Sequence, residues 1–110
     1  AAIHKLGAPV IIHICGNIGA VKSQVGKLQG DALSVDAMVN LSELKSLHGL
    51  TAMGNVSTYL LESGKEDAVF QSARNLAEKG IDIIAPACGL STSTPLRNIR
   101  ALTGAIRGNA

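Results

Sequence analysis

Four short apolar runs, each followed by a segment whose apolar residues have helical spacing, constrain this chain more than any other feature. The runs are 9–15, 32–36, 50–55 and 81–87. Apolar runs bounded by Gly, Asn or Asp are typical of strands that are buried on both faces of a parallel sheet. Strands that alternate with helices indicate parallel pairing. The sequence therefore predicts an α/β fold of four parallel βα units.

Capping residues mark where the helices between these strands should begin and end. The predicted caps are Asn17 with a stop at left-handed Gly30, Asn40 with Glu43, Ser63 with Glu66, and Thr94 before Pro95. Each has the side chain or spacing that satisfies free backbone groups at a helix end. The apolar faces of these helices are predicted to include Val21, Val25, Leu28, Leu44, Leu47, Val69, Ala73, Leu96, Leu102 and Ile106.

Two architectures fit four βα units in 110 residues. One is a small doubly wound sheet. The other is half of a (β/α)8 TIM-type barrel, a fold that usually needs about 250 residues. Residues 1–110 contain no linker or low-complexity segment, and the start at Ala1 without a Met suggests an excised segment. A half barrel would leave both sheet edges exposed, so we expect a homodimer or association with a missing barrel half.

Composition excludes several classes of function. With 46% hydrophobic and 16% charged residues, the chain is not intrinsically disordered. Ten basic and eight acidic residues are scattered, and the only aromatics are Tyr59 and Phe70, which disfavours a nucleic-acid surface. No apolar run approaches the roughly 18 residues of a membrane span. We expect a cytoplasmic protein whose two cysteines are thiols.

Polar side chains collect at the predicted carboxyl ends of the strands, where parallel α/β folds bind ligands. They are His13, Cys15, Asp36, Asn55 and Cys88. Side chains two apart on a strand share a face, so His13 and Cys15 should project together. With Cys88 they form a set of ligands that zinc prefers. Two alternatives stay open at this point: buried thiols that act as small hydrophobes, and a Cys15–Cys88 disulfide.

The remaining polar residues have simpler interpretations. Asp36 is as compatible with a hydrogen bond to a neighbouring loop as with metal binding. The segment 89–94 precedes a helix start, where backbone N–H groups and hydroxyls suit an anion, although capping by Thr94 explains the same residues. At the opposite rim Asp31 and Asp82 are expected to be solvated strand ends, and His4 and His48 are expected to face solvent.

Four motifs carry a resemblance to a known family. They are IHICGN at 12–17, SVD at 34–36, MGNVSTYLL at 53–61 and PACGLSTSTPLRNIRA at 86–101. In this order they resemble the uroporphyrinogen decarboxylase superfamily and, within it, the methylcobalamin:coenzyme M methyltransferases of methanogens. The resemblance covers nearly the whole chain and implies the carboxyl-terminal half of a (β/α)8 barrel.

The residue at 88 distinguishes two branches of that superfamily. The decarboxylases typically have Gly-His-Gly here and Asp-Pro after the third-strand Gly-Asn, whereas this chain has Ala87-Cys88-Gly89 and Val56-Ser57. The methyltransferase branch holds zinc through an H-x-C…C pattern, which His13, Cys15 and Cys88 match. The resemblance therefore implies Zn²⁺ bound by these three residues.

The resemblance also implies a reaction, the transfer of a methyl group from a methyl-corrinoid protein to the thiol of coenzyme M in methanogenesis. Asp36 would be the catalytic position, an exchangeable fourth ligand that the substrate thiol displaces. Separately from the resemblance, because a helix N-terminus suits an anion, we expect the sulfonate of coenzyme M to lie against the helix start formed by Ser91, Thr92, Ser93 and Thr94. Alternatives are a metal-free uroporphyrinogen decarboxylase-like lyase and a catalytically incompetent half-barrel fragment.

Overall fold

Four parallel strands form one sheet in the computed structural model, which describes residues 2–108. The strands are β1 (Ile11–Ile14), β2 (Ala32–Val35), β3 (Ala52–Val56) and β4 (Ile83–Pro86). They pair in the order β1-β2-β3-β4, so neighbours in sequence are neighbours in space. A doubly wound sheet would reverse its order at a switch point. The sequential order excludes that alternative and confirms half of a (β/α)8 barrel.

Helices precede, separate and follow these strands. They are α1 (Leu41–His48), α2 (Thr58–Ser63), α3 (Glu66–Glu78) and α4 (Leu96–Arg107), together with the 3₁₀ helices His4–Leu6 and Gly19–Lys27. Within residues 2–108, none of them has the length and apolar character needed to cross a membrane.

The connection between β1 and β2 differs from the predicted α-helix. It is a 3₁₀ helix that includes Gly26, and a Cβ at this glycine would collide with the imidazole of His48. His48 is half-buried and its Nε2 donates to the Lys22 carbonyl at 2.8 Å, so it does not face solvent as expected. Two predictions fail here, because Asn17 is not the N-cap and Gly30 is not left-handed. Val21 and Leu28 also lie exposed.

The caps of the later helices agree with the sequence only in part. The Asn40 side chain accepts a hydrogen bond from the Glu43 N–H at 3.2 Å, and left-handed Gly49 ends α1, as its sequence predicts. The predicted start at Ser63 is wrong, because Ser63 belongs to the last turn of α2. Lys65 is the N-cap of α3 and makes no side-chain cap.

The last helix, α4, begins one residue later than predicted. Pro95 is its N-cap in extended conformation, and the Thr94 hydroxyl is buried without a hydrogen-bond partner among the described residues. Asn98 is fully buried and its Nδ2 donates to the carbonyls of Leu61 and Gly64, at 2.8 and 3.0 Å. These bonds fasten α4 to α2 and turn a polar residue inward.

Three further apolar side chains that were predicted to face the core lie exposed, two of them on α4. Leu102 is buried, but Leu96 and Ile106 are not, and Leu47 on α1 is likewise exposed. The buried apolar residues form two clusters between sheet and helices, built around Leu33, Val35, Leu41, Leu44 and Ala52 and around Val56, Leu61, Val69, Ala73 and Leu102. The alternate residues of each strand therefore line the opposite, concave face of the sheet.

Two aspartates at the amino ends of strands are hydrogen-bonded rather than merely solvated. Asp31 accepts from the Val10 N–H at 2.6 Å and pairs with His4 Nε2 at 2.8 Å. Asp82 accepts from the Ala52 N–H at 2.8 Å. Both side chains are exposed, as expected of solvated strand ends, and these bonds lower the pKa of both carboxyls.

Candidate metal centre

His13, Cys15 and Cys88 converge at the carboxyl end of the sheet, as their positions in the sequence predict. Their ligand atoms all lie within 4.8 Å of one another. The Nε2 of His13 is 3.1 Å from the Cys15 sulfur, which is 3.7 Å from the Cys88 sulfur. All three side chains are exposed, so an ion and a substrate can both reach them.

The strands place these ligands through alternation and curvature. His13 and Cys15 point to the concave face because they are two residues apart on and just beyond β1. Cys88 lies just past β4, where the Ala87 N–H still donates to the Val56 carbonyl at 2.8 Å. Because β1 and β4 are opposite edges of the sheet, the two sulfurs meet only because the sheet is strongly curved.

The spacing of the donors fits a tetrahedral ion. Ligand atoms bound at about 2.0–2.3 Å from zinc lie about 3.5 Å from one another. The observed separations of 3.1 and 3.7 Å bracket that value. Both cysteines are free thiols, and 3.7 Å is far longer than a disulfide bond of about 2.05 Å. The geometry therefore suits a metal ion better than the disulfide alternative.

The electrostatics of this cluster also favour a cation. The pKa of Cys15 is raised, first by its hydrogen bond with Cys88, and further by desolvation and by the nearby charges of Cys88 and Asp36. A second thiolate at this distance is therefore unfavourable without a positive charge between the sulfurs. A divalent cation supplies that charge, and metal-bound thiols are deprotonated.

Asp36 lies outside this group of three ligands. Its Oδ2 accepts from the Gly16 N–H at 3.0 Å and its Oδ1 from the Ala37 N–H at 2.7 Å, and these bonds lower its pKa. Asn55 supports the same loop by donating to the carbonyls of Asp36 and Val39, both at 2.8 Å. The carboxylate thus joins the loops after β1 and β2, while its role as a fourth ligand stays a prediction.

Ser34 is a site residue that sequence reasoning missed. It lies on β2, pairs in register with His13, and its hydroxyl is hydrogen-bonded to His13 Nδ1 at 2.9 Å. Only 4% of Ser34 is exposed. A signal for it was present, because Ser34 is the one polar residue within an otherwise apolar buried strand.

Polar groups in the loop that was predicted to hold a sulfonate already make hydrogen bonds within the protein. The Ser91 hydroxyl donates to Glu62 Oε1 at 3.1 Å and accepts from the Ser93 N–H at 3.1 Å. Thr92 is exposed and the Thr94 hydroxyl is buried. Because the Glu62 carboxylate would repel an anion beside Ser91, the geometry lends this predicted contact no support.

Comparisons with known proteins agree with the fold and the motifs. The sequence model of the uroporphyrinogen decarboxylase (URO-D) family matches residues 1–108. The chain is 36% identical over 105 residues to the methylcobamide:CoM methyltransferase MtaA of Methanosarcina barkeri, covering 92% of this chain and 31% of that protein. It is 28% identical over 106 residues to a methylated-thiol–coenzyme M methyltransferase of Methanosarcina mazei, covering 94% and 29%.

A solved structure gives the same result. A methyltransferase from Methanosarcina mazei superposes with a TM-score of 0.82 at 33% sequence identity, covering 89% of this chain and 30% of the other. The chain therefore spans slightly less than a third of the length of these proteins.

Proposed function

Because the chain belongs to the uroporphyrinogen decarboxylase family, which its match over residues 1–108 shows, we propose that it supplies the zinc site of a methyltransferase. The reaction is transfer of a methyl group from a methyl-corrinoid protein to the thiol of coenzyme M. One observation carries the proposal: His13, Cys15 and Cys88 come within 4.8 Å of one another from opposite edges of the sheet.

The substrates follow from the relatives and from the chemistry of the ligands. The names of the methyltransferase relatives give a methylcobamide donor and coenzyme M as acceptor. A His and two Cys at one rim suit a borderline-soft metal ion such as zinc and a thiol substrate. A uroporphyrinogen decarboxylase-like lyase is disfavoured, because its chemistry needs no thiolate ligands.

The proposed reaction assigns a role to the zinc ion, to its three ligands and to Asp36. Zinc, when bound, supplies a Lewis acid that keeps the acceptor thiol deprotonated at neutral pH. His13, Cys15 and Cys88 would hold it, and their two negative charges would leave electron density on the substrate sulfur. That sulfur would attack the methyl carbon of the donor, and the electron pair of the carbon–cobalt bond would remain on the corrinoid as Co(I). We propose Asp36 as the group that the substrate displaces.

Assembly would complete the site. The edge strands leave Ile11 and Ile83 on the concave face 52% and 40% exposed. We propose that a second copy or the remaining part of the barrel covers them. A second candidate function, a half barrel that binds zinc without catalysing transfer, is favoured by one observation, the 31% share of the MtaA relative that the chain spans.

Zinc content tests the first part of this proposal. The purified chain should bind one zinc, and Cys88→Ser should weaken binding by more than about 100-fold, since changes even behind the ligands cost about 10–100-fold. Ser46→Ala on the exposed face of α1 is the control and should bind zinc normally. A wild-type chain that takes up no zinc would refute the zinc site.

Methyl transfer tests the second part. The zinc-loaded chain is mixed with methylcobalamin and coenzyme M, and formation of Co(I) is followed by absorbance. Transfer that is lost in Cys88→Ser supports the methyltransferase. Zinc binding without transfer assigns the chain to the second candidate, and tight porphyrinogen binding by a zinc-free chain would favour the lyase instead.

A further inference from the structure

We propose that Ser34 is a positioning residue for His13, whose hydroxyl accepts the Nδ1–H and thereby holds Nε2 toward Cys15 as a bare ligand atom. The inference deepens the proposed function and rests on it for its consequence, zinc affinity. The orientation itself is a property of the zinc-free protein and is measured separately.

Among the described residues, Ser34 is the hydrogen-bond partner of the imidazole nitrogen that does not face Cys15, and it can therefore fix the orientation of the ring. His13 lies on β1, an edge strand of the described sheet, and its side chain is exposed. Within residues 2–108 the ring has two hydrogen-bond partners, Ser34 at Nδ1 and Cys15 at Nε2. An exposed imidazole without the first bond could rotate about its side-chain torsions.

The bond also selects a tautomer. A neutral imidazole carries one N–H, so a proton on Nδ1 leaves a lone pair on Nε2. That lone pair can accept the Cys15 S–H or bind a metal ion. Histidine ligands in metal sites ordinarily donate their second N–H to such a partner. With Ser34 as acceptor, the ring is arranged for metal binding before any ion arrives.

The surroundings of Ser34 argue for this role over simple packing. It is 4% exposed on a strand whose other members, Ala32, Leu33 and Val35, are apolar and buried. A buried hydroxyl is unfavourable unless it is hydrogen-bonded. Within residues 2–108, its hydroxyl makes a single hydrogen bond, the one to His13. If the hydroxyl made no hydrogen bond, an alanine or valine would be more favourable at this buried strand position.

A pair of variants of nearly equal volume isolates the hydroxyl. Ser34→Thr keeps it and Ser34→Val replaces it with a methyl group, while both add a further methyl group at Cβ and both suit a strand. The Ser42→Ala variant is the control, because Ser42 is a half-buried hydroxyl on α1 that bonds to Asn40 at 2.8 Å.

The first measurement is the ¹⁵N chemical shifts of the His13 ring in zinc-free protein, at a pH where the ring is neutral. Wild type, Ser34→Thr and the control should show mainly the Nδ1–H tautomer. Ser34→Val should show a mixture or the Nε2–H form. A structural role for Ser34 would change thermal stability without changing this distribution.

The second measurement is zinc affinity by competition with a chromogenic chelator. Ser34→Val should bind zinc about 10–100-fold more weakly, and Ser34→Thr close to wild type. Unchanged tautomer and affinity in Ser34→Val would overturn the proposal. If wild type binds no zinc, the proposed function fails, while the tautomer distribution still decides whether Ser34 orients His13.

Discussion

Asp36 joins two loops at the rim of the candidate metal centre. One carboxylate oxygen accepts from the Gly16 N–H and the other from the Ala37 N–H. Gly16 directly follows Cys15, so this bond also sets where the loop leaves β1. The loop hydrogen bonds use both carboxylate oxygens of Asp36 as acceptors. The proposed role as an exchangeable fourth ligand instead requires one of these oxygens to bind the metal ion.

The variant Asp36→Asn separates these two roles. Its amide nitrogen cannot accept, so one backbone N–H loses its partner and we expect a lower thermal midpoint. Zinc affinity should fall much less than in Cys88→Ser, since all three stronger ligands remain. Asp67→Asn, on the exposed start of α3, controls for the lost charge. Zinc loss as severe as in Cys88→Ser would contradict the loop role.

Single residues were predictable where strand alternation alone decides their direction. His13 and Cys15 share a face because they are two apart, and that holds for any register. The contact between His13 and Ser34 depends on how β1 pairs with β2, which no local pattern specifies. The loop bonds of Asp36 depend on turn geometry, and so the sequence left its role open between loop and metal.

At the scale of elements, Asp82 ties three segments together at the amino end of the sheet. Its Oδ2 accepts from the Ala52 N–H of β3 at 2.8 Å and from Lys45 Nζ of α1 at 2.7 Å. Lys45 also donates to the Gly80 carbonyl at 2.7 Å, where α3 turns into β4. The carboxylate therefore fixes α1 against two strand starts.

The stability contributed by Asp82 should depend on pH in a defined direction. The Ala52 N–H and then Lys45 hold its pKa below the ordinary 3.8, so the ionised form is favoured in the folded state. That contribution is full above the ordinary value and is lost as the pH falls through the lower folded-state pKa. Asp82→Asn should thus be less stable than wild type at neutral pH, with a difference that shrinks in acid.

Chemical denaturation from neutral pH to below pH 3.8 measures this difference. Asp67→Asn is again the control, because it shares the substitution but not these bonds. A gap between wild type and Asp82→Asn that stays constant or widens in acid would contradict the assignment.

Strands and helices were predicted well where a local apolar run determines the element. They were predicted poorly where a tertiary contact determines the type of helix or the face that it buries. All four strands lie within or beside their predicted runs. The prediction for the segment after β1 was wrong: it is a 3₁₀ helix, and the close approach of His48 to Gly26 there is a tertiary contact that apolar spacing does not show. The face of α4 failed because Asn98 is buried by its bonds to α2, which a hydrophobic pattern cannot show.

At the scale of the molecule, the candidate metal centre brings together residues from the two edges of the described sheet. The number of βα units follows from the sequence, but the curvature that brings Cys15 to Cys88 across 73 residues does not. The strand ends place all three candidate ligands at one rim, and the resemblance to a barrel family implies that they hold one ion. Curvature is a property of the assembled sheet, since it depends on strand twist and pairing together.

Zinc should therefore stabilise the fold as a whole, and β1 most of all. A ligand that binds only the folded state stabilises it by about 2.7 kcal/mol at 100 times its Kd. β1 pairs with β2 alone, so its amides should exchange quickly until zinc ties Cys15 to Cys88. We expect the thermal midpoint to rise with zinc concentration and exchange of the 12–15 amides to slow.

The matched variant for this experiment is Cys88→Ser, which keeps both ligands on β1 and removes the one beyond β4. It should show neither the rise in midpoint nor the slower exchange at the zinc concentrations that affect wild type. An equal response in Cys88→Ser would mean that zinc binds β1 without bridging the sheet. The two edges would then be free to move apart, and the concave site would have to be closed by another part of the assembly.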